Sequence, residues 1–279
     1  MLKIGVRAHD FGKMEPHLLA EAINKAGFST SQLALTKAIA GVDSLSDVDS
    51  SLLEQIKIAF TKHNVEIGVF GCYVEIGLPD KAARLLEVEK FFTGLKYAKS
   101  LGAKLVGTET TYFNISSMEG SLSKEETYQN LKDSVLRMIE QAEALGVDIG
   151  IETVADHTLC SAELTRRLLD EVNSKRLRVI FDPVNLILTQ SDIDRQDEIY
   201  KDFIETVGND VSALHVKDIV IKDFNKLWRN IGKGDINYKR IADWLSTNGL
   251  TIPVLREHIK PECADLDRQA MTDLFITTY

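Results

Sequence analysis

Strand-like and helix-like patterns alternate from one end of this chain to the other, and that alternation narrows the possible folds more than any other feature. Short apolar runs rich in branched side chains predict strands over residues 2–6, 28–35, 66–70, 103–107, 148–154, 177–181, 211–216 and 252–255. Between them, apolar residues recur every three or four positions. That spacing predicts helices over 15–25, 52–63, 81–101, 124–145, 161–173, 192–207, 238–246 and 265–275. In the first helix Pro16 sits near the first turn, where a missing N–H does no harm, and Gly27 stops it. One helix per crossover implies parallel strands and right-handed connections. Eight such units close into a single (β/α)8 TIM barrel over 1–279, close to the usual ~250 residues of that fold. An open doubly wound sheet would need a Gly-x-Gly-x-x-Gly turn after its first strand, and Gly5 and Gly12 do not make one. The Ser/Thr/Gly-rich stretch 110–122 is long for a barrel loop and is expected to cover the site. Ser123-Lys124-Glu125-Glu126 then has the spacing of a capping box that opens the next helix.

Composition removes several classes of function. The net charge of −9 disfavours nucleic acid, whose phosphates demand a basic surface. Cys72, Cys160 and Cys263 are odd in number, far apart and form no CxxC, so no disulfide framework or thiolate zinc site is expected. The N-terminus runs straight into a strand without a signal-peptide core, and no apolar run approaches the ~18 residues of a membrane span. The expectation is a soluble, cytoplasmic protein with no membrane partner.

Four of the predicted strands end on a group that can bind a cation. Residues 148–154 carry Glu152 where the apolar run should stop. A buried carboxylate costs several kcal/mol unless something positive holds it. Arg178-Val179-Ile180-Phe181 ends on Asp182, Val211-Ser212-Ala213-Leu214 on His215, and Ile252-Pro253-Val254-Leu255-Arg256 on Glu257. They fall one βα unit apart, at the C-terminal rim where barrels keep their active sites. Three carboxylates and one imidazole form an oxygen-rich set suited to one divalent ion: Mn²⁺, Mg²⁺, Co²⁺ or Zn²⁺.

Gly-Ile-Glu-Thr at 150–153, Phe-Asp-Pro-Val-Asn at 181–185, His-Val-Lys-Asp at 215–218, Gly-Lys-Gly-Asp at 232–235 and Arg-Glu at 256–257 resemble the sugar phosphate isomerase/epimerase family of the xylose isomerase-like TIM barrel superfamily. The architecture is similar throughout, while the specific motifs lie in the second half. The resemblance implies that Glu152, Asp182, His215 and Glu257 are metal ligands and that Glu152 and Glu257 are the acid/base pair. Asn185 stands where many members have a histidine, so it can bind a hydroxyl but cannot titrate. Lys217 follows the strand-seven histidine, and the arginine common shortly after it in ketose 3-epimerases is absent. The segment 227–234 resembles that of the phosphate-using pentulose epimerases; its Arg229 and Lys233, with Gly232 and Gly234, read either as an anion cradle or as a solvated basic loop.

His9 and Glu109 close the first and fourth strands, and His157 follows Glu152 by five residues; all three are candidate substrate contacts. Cys72 is expected to be packing and Trp228 a pocket wall or loop packing, while His17, His63 and His258 read as helical or peripheral. The reading is metal-assisted proton transfer on a small polyhydroxy carbonyl compound, free or phosphorylated, through an enediolate. A dehydratase of the inosose type uses the same ligands. An abasic-site endonuclease would need a histidine-rich zinc cluster, and the chain has six histidines, of which only His9 and His215 fall at strand ends. A non-catalytic binding barrel would have no need of a metal flanked by two bases. The possibility of a homo-oligomer is left open.

Overall fold

The computed structural model describes residues 2–112 and 124–276. Its strands are β1 (Lys3–Arg7), β2 (Thr30–Leu33), β3 (Glu66–Gly71), β4 (Leu105–Thr108), β5 (Asp148–Glu152), β6 (Leu177–Phe181), β7 (Val211–Val216), β8 (Asp218–Lys222), β9 (Asn225–Arg229) and β10 (Pro253–Arg256). Its helices are α1 (Pro16–Lys25), α2 (Leu35–Ala38), α3 (Ser50–Lys62), α4 (Lys81–Leu101), α5 (Lys124–Leu145), α6 (Ala162–Val172), α7 (Gln190–Asp194), α8 (Gln196–Val207), α9 (Lys239–Thr247) and α10 (Ala264–Phe275). Eight strands pair in parallel and close in the order β1-β10-β7-β6-β5-β4-β3-β2, while β8 and β9 form a separate two-stranded sheet. The molecule is therefore the expected single (β/α)8 TIM barrel. No helix among the described residues is long and apolar enough to cross a membrane.

Side chains alternate between two cores, as the period of two along a strand requires. Val69, Leu105, Ile180, Ala213 and Leu255 form a separate buried cluster that plugs the barrel interior. Glycine makes room for it. A Cβ on Gly150 would lie 2.8 Å from Ile180, one on Gly107 2.7 Å from Ile180, and one on Gly5 2.7 Å from Leu255. The intervening residues, such as Val106, Ile149, Ile151 and Phe181, point outward into the larger core under the helices. Phe181 stacks on Phe203 of α8 with centroids 4.4 Å apart. Burying such a ring fully contributes about 2–3 kcal/mol. Asp49, Asp80 and Ser161 cap α3, α4 and α6 by accepting backbone N–H bonds.

The elements differ from the sequence expectation in three places. β2 is shorter than 28–35, because Leu35 opens the short helix α2, which buries Leu35 and Ala38. The helix expected over 192–207 is two, since Thr189 and Asp192 close a reciprocal cap on α7 and the chain restarts at α8. The stretch between β7 and α9, read as a loop, contains the β8–β9 hairpin. Asp223 and Phe224 turn it with positive φ at both positions, 49° and 62°, as a two-residue hairpin turn demands. The capping box at Ser123 and the loop residues 113–122 lie outside the described residues.

Candidate active site

The two-residue step that fills the barrel also builds its rim. Above Gly150 stands Glu152, above Ile180 Asp182, above Ala213 His215, and above Leu255 Glu257. All four are buried, with His215 at 0% and Asp182 at 1% exposure. The structure thus brings together the four residues singled out at the strand ends.

His215 is the hub. Its Nδ1 faces Glu152 Oε2 at 3.4 Å, Glu257 Oε1 at 3.5 Å and Asp182 Oδ2 at 3.8 Å. Neither ring nitrogen makes a hydrogen bond of good geometry among the described residues. Donor atoms held ~2.1 Å from one cation lie about 3.0–3.4 Å apart, which is near this spacing. Glu152, Asp182 and His215 each offer one atom within 4.8 Å of the other two. An imidazole with no hydrogen bond among the described residues, turned toward three carboxylates at ligand-to-ligand distance, fits a divalent cation. Burial opposes a charge on His215, but Glu257, Glu152 and Asp182 outweigh it and push its pKa up to about 9. A bound cation would displace that proton.

The remaining charge balance is internal. Lys217 steps inward two residues beyond His215, and its Nζ lies 2.7 Å from Asp182 Oδ2 and 3.0 Å from Glu257 Oε2. Arg7 Nη1 approaches Glu257 Oε2 at 3.4 Å. Burial raises the pKa of Glu257, yet Lys217, His215 and Arg7 together hold it well below the carboxylate range. Burial dominates at Asp182 and pushes it up to about 6 despite Lys217. Asp182 also caps the short 3₁₀ turn Pro183–Leu186, its Oδ1 accepting from the N–H groups of Val184 and Asn185. That turn delivers Asn185, whose amide donates to Glu152 Oε1 and fixes the carboxylate plane.

The other sequence candidates divide. Glu109 lies within electrostatic reach of the site; burial first, then Glu257, raises its pKa, with Lys217 opposing. His9 stands at the end of β1, and burial, Arg7 and Lys37 push its pKa down to about 4. His157 packs edge-on to Tyr112 and lies 3.8 Å from Asp156. Arg229 and Lys233 are exposed. The glycine amides expected to cradle an anion beside them are already taken. Gly232 N–H and Gly234 N–H both donate to Asp218 Oδ2, while Ile219 and Ile236 donate to Oδ1. The cradle is filled by the chain's own carboxylate, which clamps the hairpin base. Cys72 is packing, buried beside Gly94, and burial pushes its thiol up to about 12.

Trp228, expected as a pocket wall or loop packing, stacks from β9 on His258 with centroids 3.8 Å apart and has Lys217 Nζ 5.8 Å from its ring, so it walls the site. Other neighbours escaped the sequence reading. His258 is therefore not peripheral: a positive φ of 57° turns it back onto that wall. Arg7 and Gln32 pair in register on β1 and β2, one step above Gly5 and Thr30. The same two-residue step could have identified them. Arg256 points outward instead, where its Nε donates to Asp267, and Asp267 accepts Ile231 N–H.

A family profile described as xylose isomerase-like TIM barrel matches residues 20–273. The chain belongs to that family. Among solved structures, 3-keto-D-glucoside 4-epimerase from E. coli has 16% identity and a TM-score of 0.74, over 98% of this chain and 99% of its own. D-psicose 3-epimerase with D-tagatose from Clostridium cellulolyticum H10 has 17% identity and a TM-score of 0.76, over 98% and 97%. The IOLI protein with a binding zinc atom has 18% identity and a TM-score of 0.76, over 100% and 99%. At these identities the likeness is one of fold. No curated protein matches the chain.

Proposed function

We propose that this xylose isomerase-like barrel is a divalent-metal-dependent isomerase or epimerase of a small sugar, acting by proton transfer at carbon beside a carbonyl. The observation that carries the reading is His215, buried without a hydrogen bond among the described residues and facing Glu152, Asp182 and Glu257. Epimerases of sugars and a zinc-bearing protein among the structural neighbours support it. A divalent cation held by Glu152, Asp182, His215 and Glu257 would polarise the carbonyl and make the adjacent C–H more acidic.

The chain's own groups supply the rest. Glu152 on β5 and Glu257 beyond β10 flank His215, with β6 and β7 between them. A substrate over His215 lies between two carboxylates, one able to take a proton from each face of the carbon. Lys217 and Arg7 keep Glu257 ionised, so it starts as an acceptor. Asn185 orients Glu152 and does not itself exchange a proton. Trp228 and His258 offer a flat wall to a sugar ring.

Elemental analysis of purified protein tests the assignment. About one divalent ion per chain is expected in wild type, lost in Asp182→Asn and His215→Ala. Unchanged metal content in both variants would refute it.

A further inference from the structure

The rim opposite the carboxylates carries buried hydrogen-bonding groups that neither the cation site nor the proton transfer employs. Gln32 is 1% exposed and pairs in register with Val69 of the interior plug. Its Nε2 lies 2.6 Å from Tyr73 Oη, and its Oε1 has no partner among the described residues. Whichever way the amide is turned, one of its two polar atoms stays unsatisfied inside the barrel. An unmade bond on a buried amide is costly, so natural structures leave few without a partner. His9 Nδ1 is likewise buried and unpartnered.

These groups stand near the carboxylates, since Arg7, in register with Gln32 on the neighbouring strand, reaches Glu257 Oε2 at 3.4 Å. Tyr73 senses Glu257, Glu152 and Glu109, and burial together with those charges keeps its hydroxyl protonated. His9 senses Arg7, Lys37 and Glu257, and it is neutral near pH 7. Amide, phenol and neutral imidazole each both donate and accept, which matches alcohol groups. Of the three, Tyr73 also lines, with Leu35, Lys37 and Leu45, a neighbouring cleft of about 900 Å³.

We infer that Gln32, Tyr73 and His9 form a neutral subsite that binds the hydroxyl-bearing end of the substrate remote from its carbonyl. This rests on the sugar reading above and adds which residues select for chain length. Glu152, Asp182, His215 and Glu257 would hold the carbonyl end, and Gln32 and Tyr73 would reach hydroxyls that a three-carbon ketose lacks.

The test is a calorimetric titration of metal-loaded protein with D-psicose, D-tagatose and D-fructose, each against dihydroxyacetone. Wild type should bind at least one ketohexose tenfold or more tightly than dihydroxyacetone. Tyr73→Phe and Gln32→Met should each weaken that ketohexose about three- to tenfold, the worth of one hydrogen bond, and leave dihydroxyacetone unchanged. Tyr73→Phe removes only a hydroxyl from a half-buried ring, so it gives a folded variant even if Gln32→Met does not. Equal weakening of both ketoses, or of neither, overturns the subsite and leaves the sugar reading standing. Failure of every ketose to bind wild type would overturn both.

Discussion

Replacing Lys217 with Met should damage the metal-free protein far more than the metal-loaded one. The ammonium is buried, 2.7 Å from Asp182 and 3.0 Å from Glu257. Met keeps the stem volume and removes the charge. Asp182 then loses its only ion-paired cation other than His215 among the described residues, and Glu257 is left with Arg7 and His215. Removing one partner of a buried ion pair typically costs ~3–5 kcal/mol. For 279 residues, an unfolding entropy of about 2.1 cal/mol/K per residue gives roughly 0.6 kcal/mol/K. The expected drop in Tm is therefore about 5–8 °C in a chelator. With excess Mn²⁺ the ion replaces the lost charge, and the drop should shrink below ~2 °C. The variant should also bind Mn²⁺ more tightly than wild type, because a positive charge competing for the same oxygens is gone. Circular-dichroism melts of both proteins, with EDTA and with Mn²⁺, give all four values. An equal loss with and without the ion would refute the view that Lys217 stands in for cationic charge at this site.

Two further outcomes follow from the packing and the charges. Gly234→Ala would put a Cβ 2.2 Å from Asp218 Oδ1 and 2.4 Å from the Ile219 carbonyl oxygen, so the hairpin clamp should open at a cost of about 1–3 kcal/mol, measured by urea unfolding; wild-type stability would contradict the clamp. His9 is held near pKa 4 against about 6.5 in the unfolded chain, so the folded state favours its neutral form. That contribution is whole above pH 6.5 and is lost as pH falls toward 4; discounted for solvent exposure it is about 1–2 kcal/mol, and His9→Gln should flatten stability against pH across this window. An unchanged slope would show that His9 is not desolvated.

Much of the site was legible because the barrel repeats one rule. A strand that fills the interior with Gly150, Ile180, Ala213 or Leu255 must present its next inward residue at the rim, and there an ionisable group stands out against an apolar run. Arg7 and Gln32 obey the same rule but were harder to see, since Arg7 closes the first strand without interrupting a long apolar run, and Thr30-Ser31-Gln32 is polar throughout. The hairpin was missed for a different reason. Asp218, Lys222, Asn225 and Lys226 break up its apolar residues, and its turn uses Phe224, a residue rarely found at positive φ. The Gly-Lys-Gly-Asp stretch looked like an anion cradle because sequence shows the amides' spacing and not their partner, which Asp218 supplies from fourteen residues away at Gly232. His258 directly follows Glu257, and only the backbone reversal at that point turns it onto Trp228.

The central claim is proton exchange at carbon beside a carbonyl, and deuterium uptake measures it directly. Metal-loaded protein would be incubated in D₂O with the ketose that it binds, and the recovered sugar analysed by mass spectrometry. Wild type should place one deuterium on carbon next to the carbonyl, metal-free protein none above background. Glu152→Gln and Glu257→Gln keep an oxygen ligand but lose the base, so each should slow turnover by about 10²–10⁴-fold. Full uptake and turnover in both metal-loaded glutamine variants, or background uptake by wild type on a ketose that it binds, would contradict the account.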